Sequence, residues 1–123
     1  MSMSHEDYIE AIVMLGGSTQ NAVRSVDVAA KLGVSKVSVN KALTVLKERG
    51  YAQQSRYGGI TLTEEGLKYG QSVLERHNLL IAFLTKAIGI DEEQAEKEAC
   101  LMEHAISDES FEKWKEFICK LDL

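Results

Sequence analysis

The chain has 123 residues, 45% apolar and 27% charged, with two cysteines and no proline. That suits one compact soluble unit or two very small ones, and no apolar run approaches the roughly 20 residues of a membrane span. The start, Met1 to Asp7, lacks the basic and apolar regions of a signal peptide, and Cys100 and Cys119 make no disulfide framework, so a cytoplasmic location is expected.

The net charge of −5 hides an asymmetry. Residues 21–62 carry seven Lys/Arg (Arg24, Lys31, Lys36, Lys41, Lys47, Arg49, Arg56) against two acids (Asp27, Glu48), giving +5, while the remainder carries seven against seventeen, giving −10. A basic segment within an acidic chain is the electrostatic footprint of phosphate binding. The acidic remainder suits a cation.

A first helix is expected from about Ser4 to Leu15, with Tyr8, Ile9, Ile12 and Leu15 on its apolar face and Gly16-Gly17 ending it. Ser25 reads as the N-cap of a short helix, Val26 to Leu32, which Gly33 breaks. Ser35 caps the next, running to about Arg49, with Val39, Leu43 and Leu46 at helical spacing. Tyr51 to Thr63 then changes period, and two short strands around Gly58-Gly59 are expected. Helix, tight turn, helix and hairpin in that order describe a winged helix-turn-helix.

A longer helix is expected from Thr63 to about Ile88, its apolar stripe Leu67, Leu74, Ile81, Leu84 and Ile88 continuing through Gly70 and His77. Another runs from about Asp91 to Ala105. The last opens at Ser107 and carries Phe111, Trp114, Phe117, Ile118 and Leu121, with Trp114 and Cys119 expected in core or dimer contacts. The fold class is therefore mainly α with a small β-hairpin wing: a winged helix-turn-helix over 1–70, then a helical metal-binding and dimerisation domain over 71–123.

In a helix-turn-helix the second helix enters the major groove and its first residues reach base edges. Ser35, Lys36, Ser38, Asn40 and Lys41 occupy those positions; Asn pairs with adenine, Lys reaches guanine, and Ser serves base or phosphate. Arg56 at the hairpin tip would reach neighbouring backbone or minor groove.

Cys100-x-x-Glu103-His104 places a thiolate, a carboxylate and an imidazole on one helical turn. Soft sulfur, borderline nitrogen and hard oxygen together suit a transition metal better than Mg²⁺ or Ca²⁺. The three also fit a commoner arrangement, a solvated acid and histidine beside a buried cysteine. His77, alone on an otherwise apolar stripe, is by itself more often a satisfied core histidine than a ligand. Asp7 and Glu10 read as helix N-terminal acids favoured by the macrodipole, and Glu96, one turn before Cys100, as a solvated acid or a hydrogen-bond partner of a ligand.

The segments Glu6-Asp-Tyr-Ile-Glu-Ala-Ile, Ala29-Ala-Lys-Leu-Gly-Val-Ser, Leu62-Thr-Glu-Glu-Gly, Arg76-His77 and Glu98-Ala-Cys-Leu-Met-Glu-His-Ala-Ile-Ser107 make the whole chain resemble the diphtheria toxin repressor family of metal-dependent transcriptional regulators. The resemblance implies a homodimer that binds an inverted-repeat, double-stranded DNA operator when a divalent metal is present. It also implies a metal site at Asp7, Glu10, His77, Cys100, Glu103 and His104. Asp7 and Glu10 match the family's manganese-responsive pattern, whereas Cys100 matches its iron-dependent pattern. The iron branch's ancillary site would need ligands at Ile81 and Glu96 beside His77, and Ile81 offers none. The iron branch's C-terminal SH3-like domain is not expected here.

Carboxylates tolerate Mn²⁺ and Fe²⁺, and a thiolate favours Fe²⁺ over Mn²⁺. The expected ligand is Fe²⁺ or Mn²⁺, Fe²⁺ slightly ahead, with Zn²⁺, Co²⁺ or Ni²⁺ binding in vitro. No membrane partner and no organic substrate are expected. An enzyme is not expected either, because there is no His-Glu-x-x-His pair and no phosphate loop. The competing reading is a winged-helix transcription factor that senses a small ligand or redox state through Cys100.

Overall fold

The computed structural model describes residues 4–55 and 57–123. It divides into two compact units, the first ending at Leu74 and the second beginning at Glu75.

In the first unit, α1 (His5–Met14) starts at Ser4 with a reciprocal capping box: Asp7 N–H donates to Ser4 Oγ at 3.2 Å, and Ser4 N–H donates to Asp7 Oδ2 at 2.9 Å. Two orphan backbone donors are satisfied at once. Tyr8, Ile9, Ala11 and Ile12 of α1 are buried, which fixes the face it turns to the core. The second helix, α2 (Ser25–Leu32), follows; its cap residue is Arg24, not Ser25. Ser25 lies inside the first turn, where its small side chain is buried, so the expected cap sits one residue too late.

Gly33 closes α2 in the left-handed region at φ 67°, which costs glycine no Cβ clash. Val34 N–H then donates to Ala29 O, and Ser35 caps α3 (Lys36–Glu48) by accepting from Ser38 N–H at 3.1 Å. The expected turn and cap are both present. Val39, Leu43 and Leu46 of α3 are buried with Val28 of α2 in a single cluster that also contains α1.

Strands β1 (Ala52–Gln54) and β2 (Ile60–Leu62) pair antiparallel, Ala52 opposite Leu62 and Gln54 opposite Ile60. Val23 adds one bridge to Ile60. Ile60 and Leu62 point into the core, so the wing is anchored at its base and its tip projects.

Helix α4 (Glu64–Ala82) continues into a π-helical turn, Phe83–Ile88. Thr85 Oγ1 donates to the Ile81 carbonyl at 2.8 Å, supplying a donor where the backbone pattern changes. The buried stripe is Gly66, Gly70, Val73, His77, Leu80 and Leu84. The expected stripe shared only Gly70, His77 and Leu84 with it; Leu67, Leu74 and Ile81 are half-buried and Ile88 is exposed. Two glycines decide the rotation. A Cβ at Gly66 would collide with the Tyr51 carbonyl, and one at Gly70 would lie 2.6 Å from Val13 Cγ2, so both must face inward and the residues between them turn away.

In the second unit, α5 (Glu92–Ala105) is capped by Asp91 and α6 (Asp108–Lys120) by Ser107. Ala95 and Ala99 let α5 approach Leu80, Leu84 and Phe111 closely, and these form the core; a fully buried side chain such as Leu80 contributes about 1.5–3 kcal/mol. Trp114 packs edge-to-face on Phe83 at 5.7 Å. Phe117, Leu121 and Cys119, expected on the apolar stripe of α6, are exposed, because α6 turns Phe111 and Ile118 inward and these three flank that direction, Phe117 with its ring edge-on to Phe83 at 6.5 Å. Among the described residues no helix is long and apolar enough to cross a membrane.

Candidate metal centre and nucleic-acid interface

Helix α5 places Cys100, Glu103 and His104 on one face within a single turn, and their donor atoms lie within 4.8 Å of one another. Glu103 is 2% exposed. A carboxylate buried to that degree needs strong compensation, since its desolvation costs several kcal/mol. Oε2 has a partner in His77 Nδ1 at 3.1 Å. Oε1 has no hydrogen-bond partner among the described residues; the nearest basic group is His104 Nε2 at 3.5 Å. Sulfur, carboxylate oxygen and imidazole nitrogen thus converge on a buried anionic point.

The π-terminated α4 supplies His77, 3% exposed and held from both ends. Nε2 meets Glu96 Oε1 at 2.8 Å, and Nδ1 meets Glu103. The adjacent Arg76 holds the backbone around Glu103. Its Nη2 donates to the carbonyls of Glu103 and Ile106, each at 2.7 Å, and its guanidinium lies 4.7 Å above the Phe111 ring.

In the first unit, Asp7 and Glu10 share α1, three residues apart. Asp7 is the N3 residue of the capping box, which engages one carboxylate oxygen; the macrodipole reading of this acid is therefore a local bond. Glu10 is buried, 7% exposed, unusual for an acid placed only for the macrodipole.

The other predicted surface lies on α3. Ser35, Lys36, Asn40 and Lys41 are exposed and Ser38 is half-buried, its hydroxyl accepting from Ser35 Oγ. Arg56 lies outside the described residues. Lys36 and Asn40 line an open cavity of about 350 Å³ whose walls also include Arg24, Gln54 and Tyr57. Asp27, 3.2 Å from Arg24 Nε, holds that guanidinium above its ordinary pKa through their side-chain hydrogen bond. Tyr57 is 94% exposed at the wing tip, and Val37, 63% exposed, stands beside the polar residues of α3. Val37 was legible: it falls off the Val39-Leu43-Leu46 stripe. Arg24 was not, because only folding brings α2's start to the wing.

Residues 1–60 match the model of the iron dependent repressor N-terminal DNA binding domain, and residues 63–122 match that of the iron dependent repressor metal binding and dimerisation domain. The chain belongs to the iron-dependent repressor family. Members of this family are transcriptional regulators, not enzymes.

Relatives of the iron-dependent repressor type span nearly the whole chain. An uncharacterised HTH-type transcriptional regulator of Methanocaldococcus jannaschii is 36% identical over 120 residues, covering 98% of this chain and 96% of its own. The HTH-type transcriptional regulator MntR of Lysinibacillus sphaericus is 38% identical over 110 residues, covering 89% and 78%. Among solved structures, a manganese-dependent transcriptional repressor in complex with manganese superposes with a TM-score of 0.81 at 27% identity, over 94% of this chain and 52% of that one. This chain therefore spans about half the length of that repressor. The fold class expected from sequence, a winged helix followed by a helical domain, is that of these neighbours.

Proposed function

We propose that the chain is a repressor that binds an inverted-repeat operator as a homodimer when Fe²⁺ or Mn²⁺ is held by Asp7, Glu10, His77, Cys100, Glu103 and His104. The observation that carries this reading is Glu103 Oε1, buried without a hydrogen-bond partner among the described residues and accompanied by Cys100 and His104 within 4.8 Å. A buried anion with thiolate and imidazole beside it fits a divalent transition metal by donor type. Such an ion would add positive charge beside the buried Glu103 carboxylate.

The residues divide the work by element. His77, Cys100, Glu103 and His104 belong to α4 and α5, within the metal-binding and dimerisation domain. Asp7 and Glu10 belong to α1, within the DNA-binding domain. Ligands drawn from both domains would restrict the reading head relative to the dimer body when metal is bound, and so would match the spacing of two recognition helices to half-sites one helical turn, roughly 34–36 Å, or a multiple of it apart. In α3, Ser35 keeps the first turn formed while Lys36, Asn40 and Lys41 face the groove. The metal of the structural neighbour supports Mn²⁺, and the Cys100 thiolate supports Fe²⁺, which stays slightly ahead.

The test is operator binding by fluorescence anisotropy, anaerobically, with and without Mn²⁺ or Fe²⁺. Metal is expected to tighten binding about 5–150-fold, corresponding to about 1–3 kcal/mol of coupling. The variant Glu103→Ala/His104→Ala should lose that gain while keeping its folded circular-dichroism spectrum. A variant that still gains on adding metal overturns the reading.

A further inference from the structure

We infer that Glu96 is a positioning residue that sets the tautomer of His77, so that the histidine presents Nδ1, not Nε2, to the metal. The inference rests on the proposed metal site and names a residue outside its ligand set.

A neutral imidazole has one N–H donor and one lone-pair nitrogen, yet both nitrogens of His77 face carboxylate oxygens. The contact to Glu96 is the shorter, 2.8 Å against 3.1 Å. The two carboxylates also differ in surroundings. The Glu96 side chain is 58% exposed and the Glu103 side chain 1%. A solvated carboxylate on the protein surface is a lasting acceptor for an N–H, whereas the Glu103 side holds Cys100 and His104 with their donor atoms. With Nε2–H given to Glu96, the Nδ1 lone pair points at the Glu103 carboxylate. In that tautomer two acceptors meet at 3.1 Å, an arrangement that a bound cation relieves, and Glu103 carries the other proposed ligands of α5 beside it.

The arrangement is a carboxylate–histidine pair of the kind that holds metal-ligating imidazoles in place. Loss of such a carboxylate costs about 10–100-fold in metal affinity. The side chain of Glu96 is 58% exposed, so replacing it opens no cavity and removes only its bond to His77 Nε2.

The experiment uses the full chain. Mn²⁺ affinity is measured by calorimetry for the wild type, Glu96→Ala, Glu96→Gln and Glu103→Ala, and the metal-free melting temperature is recorded for each. Glu96→Ala is expected to bind Mn²⁺ about 10–100-fold more weakly, with a fall in metal-free melting temperature smaller than the loss of affinity would give, and Glu96→Gln, whose amide oxygen still accepts, to recover most of both losses. Nitrogen-15 NMR of the Zn²⁺-loaded wild type should show His77 protonated at Nε2 and coordinated at Nδ1. Wild-type affinity in Glu96→Ala, or coordination through Nε2, overturns the inference alone, provided that Glu103→Ala abolishes binding. Failure of the wild type to bind Mn²⁺ or Zn²⁺ overturns the metal site and the inference together.

Discussion

Arg76 Nη2 donates to the backbone carbonyl of Glu103 at 2.7 Å, so the residue before one proposed ligand holds the main chain of another. The same nitrogen reaches the Ile106 carbonyl, and both carbonyls belong to the last turn of α5, where helical partners run out. A lysine cannot reproduce this planar fork over Phe111. The ion pair to Asp108 adds little, because Asp108 is fully exposed.

Arg76→Ala leaves carbonyls without donors and removes a guanidinium from Phe111. It should destabilise the metal-free chain by about 1–3 kcal/mol, with Arg76→Lys recovering less than half. Urea unfolding followed by circular dichroism measures both. A loss below a few tenths of a kcal/mol in Arg76→Ala would contradict this account of the α5 terminus.

Glu103→Gln removes a buried charge while keeping its shape. Without metal the melting temperature should hold or rise, because the desolvation of an ionised carboxylate is relieved. The rise in melting temperature expected of the wild type on adding Mn²⁺ should be absent in this variant. Scanning fluorimetry at matched metal concentrations reads both effects, which have opposite signs.

Gly66→Ala should destabilise the first unit by about 1–3 kcal/mol through overpacking, because its Cβ would meet the Tyr51 carbonyl, a backbone atom with no rotamer to change. Gly33→Ala should cost less, about 1 kcal/mol, since its site is open and only the left-handed φ is strained. Thermal unfolding of the two variants should rank them in that order.

Lys36→Ala and Arg24→Ala should each weaken operator binding and reduce the log–log salt slope by about 1, the signature of a lost phosphate contact. Asn40→Ala should instead cost about 1–3 kcal/mol on one operator base pair and leave the slope nearly unchanged. Anisotropy titrations from 50 to 200 mM salt separate the two behaviours. Equal slopes for wild type and Arg24→Ala would remove Arg24 from the interface.

Much of this molecule was legible from local chemistry. Ser4, Ser35, Asp91 and Ser107 start helices where their side chains cap them, Gly33 ends one, and Gly58-Gly59 turns the wing. Cys100, Glu103 and His104 share a turn by spacing alone. These features depend on interactions within a few residues, which sequence records directly.

Contacts between distant segments were decided by the tertiary structure. The rotation of α4 follows from what Gly66 and Gly70 meet, not from its own apolar residues, and that rotation buries Val73 and Leu80 in place of the expected Leu74 and Ile81. Glu96 and Arg76 likewise acquire their parts only when α4 lies against α5, 19 residues from Glu96 to His77 and 27 from Arg76 to Glu103. By itself the sequence determined where helices begin and end and which residue types could bind metal or DNA, because capping and periodicity are local. Packing alone decided which face of α4 is inside and which atoms hold His77, because close approach is a property of two segments and neither encodes it alone.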